Sequence, residues 1–275
     1  MEPGKIVISV IDGDNNRLSL NPMKNCAGIA AKATMELLGV QSVGLSLALH
    51  KGLPLGSGLG SSAASAAAAA VAVNALFGSK LTKSDLVLAG LESEAAVSGY
   101  HADNVAPSLM GGFVLVRSYA PLDLIPLPFP SEKELFFVLV TPTFEAPTKA
   151  MRAVLPKKIT MKDHIQNCSQ AAALVAAILQ GDPRLLGAAL SSDCIVEPKR
   201  GPFIPGMMAV KAAALETGAF GCTISGAGPT AVAITDTAEK GMAIALAMVD
   251  MFKKKGQLEA TASVQKLDRN GARVV

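Results

Sequence analysis

Pro54-Leu55-Gly56-Ser57-Gly58-Leu59-Gly60-Ser61-Ser62-Ala63-Ala64 is the stretch on which the reading of this chain turns. Glycines at alternate positions let the backbone come close to a ligand, because no Cβ stands in the way. Two serines follow at the head of an alanine run that reaches about Phe77 and ends at Gly78, a strong helix former with a glycine stop. A helix that begins this way presents unpaired N–H groups and the positive end of its dipole, which together favour an anion. Serine hydroxyls add donors for phosphate oxygens and oxygen ligands for a hard cation. The chemistry implied is phosphate binding; the plainer alternative is a flexible glycine loop with a serine N-cap. A Walker A loop is excluded, since no lysine follows Gly60. The glycine spacing is wrong for a dinucleotide fingerprint, and no serine sits in the Gly-x-Ser-x-Gly frame of a nucleophile elbow.

Working outward, the rest of the chain supports a packed small-molecule enzyme and excludes several other classes. It has 275 residues, half of them hydrophobic, which is enough for one large domain or two closely associated subdomains. A net charge of +3 with scattered basic residues gives no footprint for nucleic acid; the densest run, Lys253-Lys254-Lys255, reads as a solvated helix end. Four separated cysteines (Cys26, Cys168, Cys194, Cys222) and three histidines lack zinc-ligand spacing and point to a reducing compartment. The apolar run from Ala63 to Ala75 falls short of the ~20 residues a bilayer span needs, so no membrane association is expected. The chain opens directly into strand-like sequence, with no signal or transit segment.

Periodicity sets the expected elements. Lys5–Ile11 and Ser42–His50 read as strands, with a hairpin-like turn at Lys51-Gly52. A helix is expected from Asn21-Pro22 to Leu38, stopped by Gly39, and another over Lys83–Val97. Phe113–Tyr119 reads as a strand, Pro121–Pro130 as a Pro-rich linker between two halves, and Phe136–Val140 as a buried strand. Helices are expected over Thr148–Leu155, Asn167–Leu179, Asp182–Ser191, Pro205–Thr217 and Lys240–Lys254. Gly221–Ser225, Ala231–Thr235 and Ala262–Leu267 complete the strands. The expectation is an α+β fold with antiparallel sheets, divided into residues 1–125 and 126–275.

The glycine-rich string resembles the central motif of the GHMP small-molecule kinases, Pro-x-x-x-Gly-Leu-Gly-Ser-Ser-Ala-Ala, a far more specific match than a lone glycine fingerprint. Gly226-Ala227-Gly228-Pro229, after Ser225, resembles the third motif of that superfamily. Glu94, Ser98-Gly99 and His101-Ala102-Asp103-Asn104-Val105-Ala106-Pro107 resemble the signature of its homoserine kinase branch, and the plant members most. Ala146-Pro147-Thr148-Lys149-Ala150-Met151-Arg152 and Glu197-Pro198-Lys199-Arg200 resemble segments that carry substrate-contacting arginines.

The resemblance implies an N-terminal part like the second domain of ribosomal protein S5 and a ferredoxin-like C-terminal part. It implies ATP and Mg²⁺ as cofactors and L-homoserine as substrate. Pro54, Leu55, Gly56, Ser57, Gly58, Leu59, Gly60, Ser61, Ser62 and Ala63, with Gly226 and Gly228, would hold the nucleotide; Ser62 and Glu94 would hold the metal, Glu92 competing with Glu94 for that role. His101, Asn104, Thr148, Arg152 and Arg200 would serve the amino-acid substrate, the arginines binding its carboxylate. A homodimer and a plastid stromal location, otherwise cytoplasmic, follow from the family. Other members acting on mevalonate-like or sugar substrates, and an ATP-binding remnant without catalysis, are the alternatives. One departure stands out: the family's first motif, of the form Pro-Ala-Thr-Ser-Ala-Asn-Leu-Gly-Pro-Gly-Phe-Asp, does not occur, so an incomplete first domain with an unpaired sheet edge and weakened homoserine binding is expected.

Overall fold

The computed structural model describes residues 2–97, 99–146 and 148–275; of the motif residues named above, Ser98 and Pro147 lie outside it, as do the side chains of Thr148 and Lys149. The chain forms two compact units. Residues 1–55, 60–126 and 268–275 make the first, and residues 56–59 and 127–267 the second. The division is therefore not a single cut at 125/126: four residues of the glycine loop belong to the second unit, and the C-terminal segment returns to the first.

In the first unit, β1 (Ile6–Asp12) and β2 (Leu45–His50) pair side by side. They run parallel, from Ile6 opposite Leu45 to Asp12 opposite His50, with a register shift between Ile8 and Val10. The hairpin-like turn expected at Lys51-Gly52 is thus not a hairpin. Between the two strands the chain crosses over through α1 (Cys26–Leu37), as parallel pairing demands. Asn25 caps this helix, its side chain accepting from the Ala27 N–H, and a short 3₁₀ turn at Pro22–Lys24 precedes it. The single helix expected from Asn21 is split there because Asn25 is extended (φ −133°, ψ 131°).

The alanine run becomes α2 (Ser61–Leu76) and is followed by α3 (Lys83–Val97). Both pack with α1, and small side chains (Ala27, Ala30, Ala31, Ala66, Ala70) let the helices approach closely. Asn74, buried at the end of α2, donates to the Leu81 carbonyl and accepts from the Leu81 N–H, fixing the connection to α3. A short α4 (Val105–Met110), which the sequence reading missed, buries Val105 and Leu109 against Leu86, Val87 and Leu91. The supposed Pro-rich linker contains a strand: β4 (Leu122–Leu127) pairs with β3 (Phe113–Tyr119). The Ala120-Pro121 pair between them is a two-residue hairpin turn, and the alternation Leu122, Leu124 packs toward Val105 and its neighbours.

The second unit is built on four antiparallel strands ordered β6-β7-β5-β8, namely β6 (Gly221–Ile224), β7 (Ala231–Thr235), β5 (Phe136–Pro142) and β8 (Ala260–Lys266). Between β5 and β6 come α5 (Thr148–Ala153), α6 (Met161–Gln180), α7 (Pro183–Leu190), α8 (Glu197–Arg200) and α9 (Met207–Glu216); α10 (Ala238–Met251) joins β7 to β8. This strand order is the ferredoxin-like split β-α-β expected for the C-terminal part. Val138 and Val140 of β5 meet Met207 and Val210 of α9, and Ile244 and Met248 of α10, in one continuous core.

One buried atom stands out energetically. Ser93, on α3, is fully buried, and among the described residues its hydroxyl has no hydrogen-bond partner. Such a group costs about 1–3 kcal/mol in desolvation with nothing returned. Ser93→Ala is therefore expected to leave stability unchanged or raise it by up to ~1 kcal/mol in urea denaturation; a loss larger than that would contradict the assignment.

Candidate active site

The second unit holds the start of the glycine loop against the loop between β6 and β7. The Ser225 hydroxyl donates to the Gly58 carbonyl (2.9 Å), and the Thr230 N–H donates to the Ser57 carbonyl (3.2 Å). Gly58 has φ +82°, and a Cβ there would lie 2.3 Å from the Ser225 oxygen and 2.8 Å from the Gly228 oxygen. Only glycine satisfies both conditions. Ser57 is buried, and its hydroxyl accepts from the Leu59 N–H (3.3 Å). Within the second unit, residues 56–59 of the glycine loop and the loop between β6 and β7 are therefore latched to each other.

Two arginines stand in the same unit. The Arg200 guanidinium donates through Nε to the Met151 carbonyl and through Nη1 to the Gly226 carbonyl, both at 3.0 Å. Burial first, and then the nearby Arg152 charge, lowers the Arg200 pKa, while Asp193 acts in the opposite direction. Two like charges set this close favour an anion between them, and a planar carboxylate suits the guanidinium fork.

Arg200 ends a short helix with an unusual amount of support. The Asp193 carboxylate accepts from the backbone N–H groups of Ile195 (2.9 Å), Val196 (3.0 Å) and Glu197 (2.6 Å), and from Asn167 Nδ2 (2.7 Å). Burial alone would raise the Asp193 pKa; these hydrogen bonds outweigh it and hold the carboxyl below its ordinary value. Glu197, itself buried, pairs with Lys211 and accepts from the Thr223 hydroxyl (2.6 Å).

In the first unit, Gly60 adopts φ +70° as the N-cap of α2, leaving no side chain to close the first turn. The absent Cβ of Gly60 would lie 3.3 Å from Asn104 Oδ1, so the HADN segment lies against the loop. Ser62 is exposed at the first turn. Ser61 is buried, its hydroxyl donating to the Leu53 carbonyl (3.0 Å), a structural use. Glu94 is buried, whereas its competitor Glu92 is exposed, which favours Glu94 as the functional carboxylate. His101 is half-buried, next to the fully buried Ala102, whose N–H donates to the Tyr119 hydroxyl (3.2 Å). Among the described residues no cluster of three or more His, Cys, Asp or Glu could cage a metal, but Mg²⁺ needs only one or two protein oxygens besides phosphate and water. Ser62 and Glu94 are of that kind.

Sequence reasoning overlooked Lys51. Its ammonium donates to the Ser61 carbonyl (2.6 Å) and to the Ser65 hydroxyl, tying β2 to the head of α2. Burial lowers its pKa, opposed by Cys26 and Asp14. No sequence pattern marks a lone lysine after a strand. Cys222 shows the opposite case: burial pushes its thiol up to about 12, so it is inert at neutral pH.

The latch gives a direct test. Gly58→Ala forces a left-handed alanine, at a cost of about 1–2 kcal/mol, and drives a methyl group into two carbonyls. The expected outcome is a folded but less stable chain whose affinity for ATP falls at least about tenfold. Unchanged ATP affinity, measured by calorimetry, would show that the loop conformation is not needed.

The likenesses to known proteins agree with this geometry. Residues 25–112 match the family described as GHMP kinases N terminal domain, and residues 174–254 match GHMP kinases C terminal. The chain is 70% identical, over 99% of its length and 74% of the relative, to the homoserine kinase of Arabidopsis thaliana. It is 43% identical to that of Chloroherpeton thalassium, covering 99% of this chain and 86% of the relative. A crystal structure of homoserine kinase from Cytophaga hutchinsonii superimposes with a TM-score of 0.91 at 40% identity, covering 98% of this chain and 84% of that one. The N-terminal family match takes in β2, the glycine loop and the HADN segment, and the chain spans 74% to 86% of the length of these relatives. Among the described residues no helix is long and apolar enough to cross a membrane. With the latched glycine loops, the paired arginines and likeness along nearly its whole length, the chain belongs to the homoserine kinases of the GHMP kinase family.

Proposed function

We infer that this chain transfers the γ-phosphoryl group of ATP to the side-chain hydroxyl of L-homoserine, giving O-phospho-L-homoserine and ADP in threonine biosynthesis. The observation that carries the reading is Arg200, bonded to the Gly226 carbonyl in the same loop whose Ser225 latches Gly58, with the Arg152 charge nearby. A phosphate cradle and a carboxylate site thereby share one backbone.

Each role follows from chemistry. The backbone N–H groups over Gly56–Ala63 hold the triphosphate, aided by the dipole of α2, and the loop of Gly226 and Gly228 braces Gly58 through Ser225. Arg152 and Arg200 hold the substrate carboxylate. His101, Asn104 and Thr148 supply polar contacts to its amine and hydroxyl. Ser62 and Glu94 offer the hard oxygens that Mg²⁺ takes; when bound, the ion neutralises charge on the β- and γ-phosphates. In the transfer the homoserine oxygen bonds to phosphorus, the bond to the ADP oxygen breaks, and the hydroxyl proton is released. Positioning and charge neutralisation supply the rate, so no dedicated base is assigned. Likeness to a plant relative supports a plastid location, and a homodimer would agree with the family.

The test is steady-state ADP release with Mg-ATP and either L-homoserine or mevalonate. Homoserine is expected to be turned over and mevalonate not; the reverse would move the chain to another branch of the family. Arg200→Ala is expected to raise KM for homoserine about 100-fold, the worth of a charge-assisted pair, with KM for ATP nearly unchanged. Equal losses for both substrates would remove Arg200 from the carboxylate site.

A further inference from the structure

Arg200 presents an electrostatic problem that its immediate contacts do not solve. It is partly buried beside Arg152, a like charge, and among the described residues its hydrogen bonds go to neutral carbonyls, those of Met151 and Gly226. Left to itself, such a side chain would swing toward water, where its charge is better solvated. The helix that carries it is only four residues long, too short to be stable alone.

Asp193 answers both difficulties. Its carboxylate gathers the N–H groups of Ile195, Val196 and Glu197, the whole approach to α8, and it is the acidic group whose charge acts on Arg200 against Arg152. Asn167 of α6 holds the carboxylate from the other side, and Asn167 in turn accepts from the Cys194 N–H (3.2 Å) and thiol (3.0 Å). Glu197 fixes the same turn to the core through Lys211 and Thr223. Through these contacts Asp193 fixes the turn from which α8 and Arg200 project.

We propose that Asp193, held by Asn167, is the positioning residue that keeps Arg200 aimed at the substrate carboxylate, and so governs recognition of that carboxylate without touching it. The proposal rests on the assignment of Arg200 to the carboxylate site.

The test compares binding of L-homoserine and of 3-aminopropan-1-ol, the same molecule without its carboxylate, by calorimetry and by their KM values. The proteins are the natural chain, Asp193→Asn, Asn167→Ala and Val210→Ala; the last removes buried volume from α9 and controls for lost stability. The natural chain is expected to prefer homoserine strongly. Asp193→Asn is expected to cut that preference about tenfold by weakening homoserine alone, with kcat and KM for ATP within about twofold. Asn167→Ala, which needs no buried charge removed, is expected to shift in the same direction about threefold and carries the test should Asp193→Asn not fold. Val210→Ala is expected to lower the melting temperature and leave the preference intact. If Asp193→Asn and Asn167→Ala keep the natural preference, or move it no more than Val210→Ala does, the positioning role is overturned while the arginine assignment stands. If the natural chain itself shows no preference, the carboxylate site is misassigned and the proposal falls with it.

Discussion

A single hydrogen bond, from the Ser225 hydroxyl to the Gly58 carbonyl, organises the candidate site. It is possible only because Gly58 has no Cβ and a left-handed backbone, so the loop lies flat against its neighbour. From there the connections run outward in order. Ser225 leads to Gly226, the Gly226 carbonyl accepts from Arg200, and Arg200 stands beside Arg152. The proposed phosphate loop and the proposed carboxylate site are thus joined through two hydrogen bonds and one peptide link within the second unit. For phosphoryl transfer, where the protein mainly positions and neutralises, such coupling is what the chemistry asks for.

The parts of this arrangement that were legible in the sequence are those whose chemistry is local. The glycines of the two loops, the serines at the head of α2 and the alanine run each announce a backbone requirement within a few residues of themselves. Most of the longer helices and most strands were legible for the same reason, since periodicity of 3.6 or 2 is a local property. Asp182 caps α7 ahead of Pro183, whereas α10 starts at Ala238 under a Thr237 cap, two residues before the expected Lys240.

What escaped the sequence depends on distant partners. β4 was read as linker because Pro121, Pro126 and Pro128 look like breakers, yet Pro121 sits in the turn and Pro126 on a two-stranded ribbon with an open edge. The parallel pairing of β1 with β2 is decided by the crossover through α1, which no pair of neighbouring residues encodes. Lys51, Asp193 and Glu197 are ordinary charged residues until the fold brings Ser65, Asn167, Lys211 and Thr223 to them. The spacing to Ser98-Gly99 favours Glu94 over Glu92, and Glu94 is the buried one of the two.

The central claim, phosphoryl transfer from ATP to homoserine, is tested most directly by ³¹P NMR of the purified chain incubated with Mg-ATP and L-homoserine. The expected result is loss of the γ-phosphate signal with growth of a phosphate-monoester signal, both absent when homoserine is left out. A folded chain that leaves ATP intact, or releases only inorganic phosphate whether or not homoserine is present, would contradict the account.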